Sequence, residues 1–188
     1  MPRLEVPTSQ DQTSESQKLL MSVEARLGFV PNLHRLMSIS PAVLSGALGL
    51  QEALSNTLDA RTRNAIALAV SEVNACSYCL SSHCDVASRL QHVPSEEVRL
   101  NRTGQSEDAK VAAAARFAAK VVDSRGHVSD EQVAAVRAGG FTDAQVLEII
   151  ALSVQFTLTN LINNVAGTDI DFGTIMTPLG KDGHPASK

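Results

Sequence analysis

One short stretch, Cys76-Ser77-Tyr78-Cys79-Leu80-Ser81-Ser82-His83, concentrates the residue types able to do chemistry in this chain. If it is helical, Cys76 and Cys79 are three residues apart and Cys79 and His83 four, so their side chains share a face and meet. A thiol must become a thiolate to attack a peroxide or a disulfide, and an imidazole one turn away can take its proton or stabilise the charge. A second thiol can then resolve the oxidised first. Asn74 is a good N-cap and would start a helix with Cys76 in its first turn, where free backbone amides lower the pKa of a nearby thiol. Glu72, one turn before Cys76, could orient His83 or shuttle protons if the chain continues with little bend.

Other readings of the same residues are weaker. A free Cys is often only a small buried hydrophobe, and Cys84 reads this way because it sits about 140° around a helix from Cys79. Zinc would need Cys84 or Glu72 as a fourth ligand, with no second paired motif to help. Covalent haem would need His where Leu80 stands, and a thioredoxin-like site would need flanking strands. His34, His92, His127 and His184 read as surface or loop residues. The expected site is therefore Cys79, Cys76, His83 and Glu72, with no metal and no organic cofactor.

The elements that must position this stretch all read as helices. Ser14 with Gln17 has capping-box spacing and opens a helix to about Leu27, before Gly28 and Pro31. Ser40-Pro41 pairs an N-cap with Pro at the first helical position, followed by apolar residues at helical period through Leu54. Asp59 caps a helix whose Ala65, Ile66, Leu68, Ala69 and Val73 leave little polar surface, so it should be buried on several sides. Ser95-Glu96-Glu97 and Ser106-Glu107-Asp108 mark two more starts. Ser129 with Gln132 and Thr142 with Gln145 repeat the capping box. The last long helix runs from about Asp143 to Val165 and stops at Gly167. Residues 1–13 form a polar N-terminal segment, 14–167 a single helical domain, and 168–188 an irregular tail.

Composition agrees. The 188 residues suit one domain, and with 3% aromatics and no Trp the core must be built from Ala, Leu, Val and Ile, which favours close-packed helices. Sixteen Lys and Arg against twenty Asp and Glu give a net charge of −4, with no basic block for nucleic acid. The run Leu147 to Leu158 is broken by Glu148, Ser153 and Gln155, short of the roughly 20 residues that span a bilayer, and residues 1–16 lack the form of a secretory signal. Three clustered cysteines make no disulfide framework. A cytoplasmic protein with no membrane partner is expected.

Several stretches, in order along most of the chain, resemble a known family. They are Gly28-Phe29-Val30-Pro31-Asn32-Leu33, Ser40-Pro41-Ala42-Val43, Arg63 through Ser71, Asn74-Ala75-Cys76-Ser77-Tyr78-Cys79 with His83, and Asn160 through Phe172. The family is the carboxymuconolactone decarboxylase family, in its AhpD-like alkylhydroperoxidase group and peroxidase-related branch. The resemblance implies an all-α domain of about six to eight helices that assembles as a homo-oligomer. It further implies reduction of a small hydroperoxide, with Cys79 as peroxidatic thiolate, Cys76 as its resolving partner, His83 in a proton relay, and an external dithiol restoring the pair. The chain departs from the best-known AhpD pattern twice. Asn64 stands where that pattern has a relay Glu, and Tyr78 where it has a His between the cysteines. Asn cannot take up a proton as a carboxylate does, which leaves Glu72 to replace it.

Two further functions remain open at this point. One is a lactone decarboxylase or isomerase using His83 and Glu72 as general acid and base, with incidental thiols. The other is a helical oligomer whose cysteine pair switches assembly without turnover.

Overall fold

The computed structural model describes residues 2–8, 10–173 and 176–179. These residues form nine α-helices and no β-strand: α1 Ser14–Leu27, α2 Asn32–Met37, α3 Pro41–Leu54, α4 Ala60–Val73, α5 Ser77–Asp85, α6 Ser95–Arg102, α7 Ala109–Asp123, α8 Asp130–Ala138 and α9 Asp143–Ala166. A π-helical turn, Val86–Leu90, continues α5. The all-α architecture is the expected one. The count is one above the anticipated range, and the six-residue α2 is the helix that the sequence patterning did not signal.

Local chemistry explains most helix starts. Ser40, Asp59, Ser129 and Thr142 cap α3, α4, α8 and α9 with their side chains. The last two are full capping boxes with Gln132 and Gln145, which answer two orphan amides at once. Three starts fall elsewhere. Thr13 caps α1, its Oγ1 accepting from Ser16 N–H at 3.1 Å. Pro94 precedes α6 without a side-chain cap, and Asp108 caps α7 because the Ser106 hydroxyl is committed to Glu97.

α4 is the centre of the packing, touching α5, α6, α7 and α9. Ala65, Ile66, Ala67, Leu68, Ala69 and Val70 are all fully buried. Ala65 and Ala69 meet Ala115 of α7, and side chains this small let two helix axes approach closely. The main core adds Phe117, Ile149, Leu152 and Phe156 from α7 and α9. A second cluster joins Leu20, Leu33, Met37, Leu44 and Ala47 from α1, α2 and α3 to Cys76, Tyr78 and Cys79. The first three helices are thus a cover over the cysteine stretch.

α9 has the length and composition to cross a bilayer, which the sequence reading, stopping at its polar interruptions, did not count. Here it packs on α3, α4 and α7, while Leu147, Val154, Leu158, Leu161 and Val165 line its outer face. The N-terminal segment reaches its end, with Arg3 N–H donating to Ala166 O at 2.6 Å. The tail, expected to be irregular from residue 168, folds back on the core where described. Met176 N–H donates to Ser81 Oγ at 2.8 Å. Residues 180–188, including His184, lie outside the described residues.

Two glycine positions predict opposite outcomes. A Cβ on Gly139, after α8, would stand 2.5 Å from Ala113 Cβ, so Gly139→Ala should lower unfolding stability by roughly 1–3 kcal/mol through overpacking. Gly46, within α3, has open space around it, so Gly46→Ala should raise stability by up to about 1 kcal/mol. Chemical denaturation of both variants measures the two signs.

Candidate active site

The cysteines sit at a break between two helices. Asn74 closes α4, its N–H donating to Val70 O at 3.0 Å. Ala75 takes a left-handed φ of 51°, a conformation unfavourable for a residue with a Cβ. Cys76 is then the N-cap of α5, and its Sγ accepts from Cys79 N–H at 3.3 Å. The expected arrangement, with Asn74 as cap and Cys76 in the first turn, is shifted by two residues. The cause is visible: Asn74 Nδ2 donates to Asn160 Oδ1 at 2.9 Å and to Thr157 Oγ1 at 3.3 Å, so its side chain ties the turn to α9.

The two thiols have opposite surroundings. Cys76 is sealed in the core, whereas Cys79, also largely buried, lines a cavity of about 500 Å³. The Cys79 thiol is held below its ordinary value. The hydrogen bond with Cys76 is the largest cause, burial opposes it, and Asn163, Asn160 and Thr159 add further support. Asn163 Nδ2 donates to Cys79 Sγ at 3.2 Å. The same hydrogen bond, followed by burial and by the Cys79 charge, pushes Cys76 far above the usual thiol range. Cys79 is therefore the more acidic thiol of the pair and Cys76 the less acidic one.

His83 lines the same cavity. Asn64 Nδ2 donates to His83 O at 3.1 Å, which leaves Asn64 Oδ1 to accept from His83 Nδ1–H at 2.9 Å. The amide orientation fixes the tautomer, with the free lone pair on Nε2. Burial lowers the His83 pKa to about 4, so the ring is a neutral base at pH 7. Phe156 packs edge-on against it at 5.3 Å.

Glu72 is elsewhere. Its Oε2 accepts from Arg102 Nε at 2.7 Å, its Oε1 accepts from Leu179 N–H, and it is absent from the cavity wall. The left-handed Ala75 ends the helix that would have carried Glu72 toward His83, so the carboxylate turns to α6 instead. The expectation that Glu72 orients or serves His83 has no geometry behind it.

His34 also departs from expectation. It lies on α2 in the cavity wall, half-buried, and is not a surface or loop residue. His92 and His127 are exposed between helices. Cys84 packs with Leu68, Leu80, Ala87 and Val98 as expected, and burial pushes its thiol up to about 11. Among the described residues no three His, Cys, Asp or Glu side chains are placed to share a metal.

The residues that sequence reasoning missed are Asn163, Asn160 and Asp171. Tyr78 O–H donates to Asp171 Oδ1 at 2.8 Å and accepts from Leu33 N–H at 3.2 Å, while Asn32 N–H donates to Asp171 Oδ2 at 2.6 Å. A cluster of Asn at 160, 163 and 164 in the last two turns of a largely apolar helix was the available signal.

Residues 41–124 match the model of the carboxymuconolactone decarboxylase family. An uncharacterized peroxidase-related protein from Ralstonia eutropha JMP134, described as an alkylhydroperoxidase AhpD core, is 25% identical, with 90% of this chain and 92% of that chain covered and a TM-score of 0.79. Residues 41–124 thus carry the pattern of the carboxymuconolactone decarboxylase family, within an AhpD-like fold. The family match contains Asn64, the cysteine pair and His83, while the Asn residues of α9 lie beyond it. An AhpD-like fold is shared too with an uncharacterized peroxidase-related protein from Silicibacter sp. TM1040, at 22% identity, 89% and 91% coverage and a TM-score of 0.76. The debrominase Bmp8 has the same fold at 22% identity, 90% and 92% coverage and a TM-score of 0.75. A Cys-to-Ala variant of that debrominase is known in complex with 2,3,4-tribromopyrrole. Comparison with curated proteins gives no match.

Two substitutions separate support from chemistry. Glu72→Gln leaves Arg102 buried and unpaired, so unfolding stability should fall by about 3–5 kcal/mol, while the pH dependence of Cys79 alkylation stays where it was. Asn163→Leu removes a donor to Cys79 Sγ, so the midpoint of Cys79 alkylation by iodoacetamide should move to higher pH, with reactivity lost first on the acid side.

Proposed function

We propose that the chain is a thiol-dependent peroxidase in which Cys79 reduces a hydroperoxide and Cys76 resolves the product. One observation carries this reading: Cys79, in the cavity wall, is the more acidic of the paired thiols and accepts a hydrogen bond from Asn163, while Cys76 is fully buried away from the cavity. The Cys79 thiolate attacks the terminal oxygen of ROOH, the O–O bond breaks, and the alkoxide takes a proton to leave as ROH. Cys79 is now a sulfenic acid. Cys76 loses its proton, attacks the Cys79 sulfur and expels hydroxide, which leaves as water. The sum is ROOH plus two thiols giving ROH, water and a Cys76–Cys79 disulfide. An external dithiol restores the pair, and neither metal nor organic cofactor enters. His83, with a free Nε2 lone pair, passes the protons.

A second reading follows from the apolar wall of the cavity, where Phe29, Leu33, Met37, Phe156 and Phe172 surround the thiolate. The same pair can supply two electrons to a carbon–bromine bond, turning RBr and two thiols into RH, bromide with a proton, and the disulfide. The fold shared with a debrominase supports testing this substrate beside hydroperoxides. The lactone chemistry loses its acid–base pair, because Glu72 and His83 are not brought together.

Homo-oligomeric assembly belongs to the same proposal, and the outer apolar face of α9 is its natural contact. A reducing cytoplasm would suit the thiols.

Cys79→Ser should abolish consumption of cumene hydroperoxide. Cys76→Ser should allow one turnover and leave a sulfenic acid trappable by dimedone. Mass spectrometry of the oxidised wild type should show the Cys76–Cys79 disulfide. Retained turnover in Cys79→Ser sinks the assignment. Release of bromide from 2,3,4-tribromopyrrole without hydroperoxide consumption selects the second reading. A disulfide that changes the oligomeric mass without any catalytic turnover selects a redox switch.

A further inference from the structure

The Cys79 cavity contains a second imidazole that the peroxidase chemistry does not use. His34 projects from α2 into the wall, and among the described residues its ring makes no hydrogen bond. Nδ1 is closed off from solvent and unpartnered. A buried lone pair is a smaller loss than a buried N–H without an acceptor, so the proton belongs on Nε2, the nitrogen left to meet a molecule in the cavity. Burial first, with help from the Arg26 charge and against that of Asp171, lowers the His34 pKa to about 4. The ring is a neutral donor at pH 7, matched to a neutral acceptor.

Its position is fixed relative to the thiolate. The Asp171 carboxylate accepts from Asn32 N–H at the start of α2 and from the Tyr78 hydroxyl, and Tyr78 directly precedes Cys79. α2 and α5 are therefore braced against each other, with His34 on one and Cys79 on the other. The cavity between them, about 500 Å³, is far larger than hydrogen peroxide requires, since a water molecule takes about 30 Å³ of liquid.

We propose that His34 is a specificity-determining residue, donating from Nε2 to a neutral acceptor such as a carbonyl or ester on a bulky, apolar-bodied substrate whose reducible bond meets Cys79. This rests on the peroxidase reading for turnover, but not for recognition, and the test separates the two. A matched pair of probes, cumene hydroperoxide and 4-acetylcumene hydroperoxide, differs in a single carbonyl. The wild type should show a KM lower by roughly five- to tenfold for the acetyl compound, the worth of one hydrogen bond, with similar kcat for both. His34→Leu should erase that preference, bringing the two KM values together, and His34→Gln, which keeps a donor, should restore part of it. The unreactive alcohols of the same two compounds, titrated calorimetrically into the Cys79→Ser protein with and without His34→Leu, report recognition without turnover. An acetyl preference seen in that titration and lost with His34→Leu supports the role even if no hydroperoxide is consumed, an outcome that would sink the peroxidase reading alone. No acetyl preference with His34 present, or His34→Leu weakening both probes equally, overturns it.

Discussion

Ala75 holds a left-handed backbone between two helices, and the position of both cysteines depends on that one residue. Such a conformation costs about 1–2 kcal/mol for a residue with a Cβ, so its neighbours must hold it. Cys76 N–H donates to Ser71 O at 2.9 Å and Ala75 N–H to Glu72 O at 3.0 Å. From across the interface Asn164 Nδ2 donates to Asn74 O at 2.7 Å, while Asn160 takes the Asn74 side chain and donates in turn to Ser71 Oγ at 3.2 Å. The polar residues of α9 are thus the clamp that makes the turn possible. Strain of this kind concentrates at functional sites when the surroundings over-determine it.

The clamp also decides which groups share a space. Had α4 run straight on, Glu72 would have followed the cysteines around the same face. With the break in place, Glu72 is free to pair with Arg102, and the two hold the segment 176–179 against α4 and α6 through Leu179 N–H and Thr177 O. The C-terminal residues fasten the site at a second point, where Asp171 joins Tyr78 to α2. What the sequence presents as a carboxylate near a histidine is, in the fold, a structural ion pair.

Legibility follows the range of the interaction involved. The caps of α3, α4, α8 and α9 are contacts between residues three or four apart, so spacing alone reveals them. The burial of α4 is legible for the same reason, because its apolar residues run around the whole helix. The thiol pair and His83 could be singled out because residue type and spacing coincide. The left-handed Ala75 was not, since nothing about Ala favours that conformation and the contacts that enforce it come from residues some 85 positions away. His34 was misread because the short α2 has too few residues to display a period. Asn64 was noticed only as a missing carboxylate, whereas its amide sets the His83 tautomer.

Asn64 has a further consequence for proton flow. A carboxylate in its place would let His83 hold a proton as an imidazolium; an amide offers no charge, and burial keeps the ring neutral. A negative charge on Cys79 is then favoured by hydrogen bonds from Cys76 and Asn163 and not by an ion pair. Under the proposed chemistry this arrangement times the second thiol. The interactions with Cys79, its hydrogen bond first among them, are what keep Cys76 protonated beyond the effect of burial. When Cys79 becomes a neutral sulfenic acid, that hold disappears, and Cys76 grows more acidic at the step where it must become the nucleophile. The pair needs no outside signal to change roles, because oxidation of one sulfur removes the field that had kept the other inert.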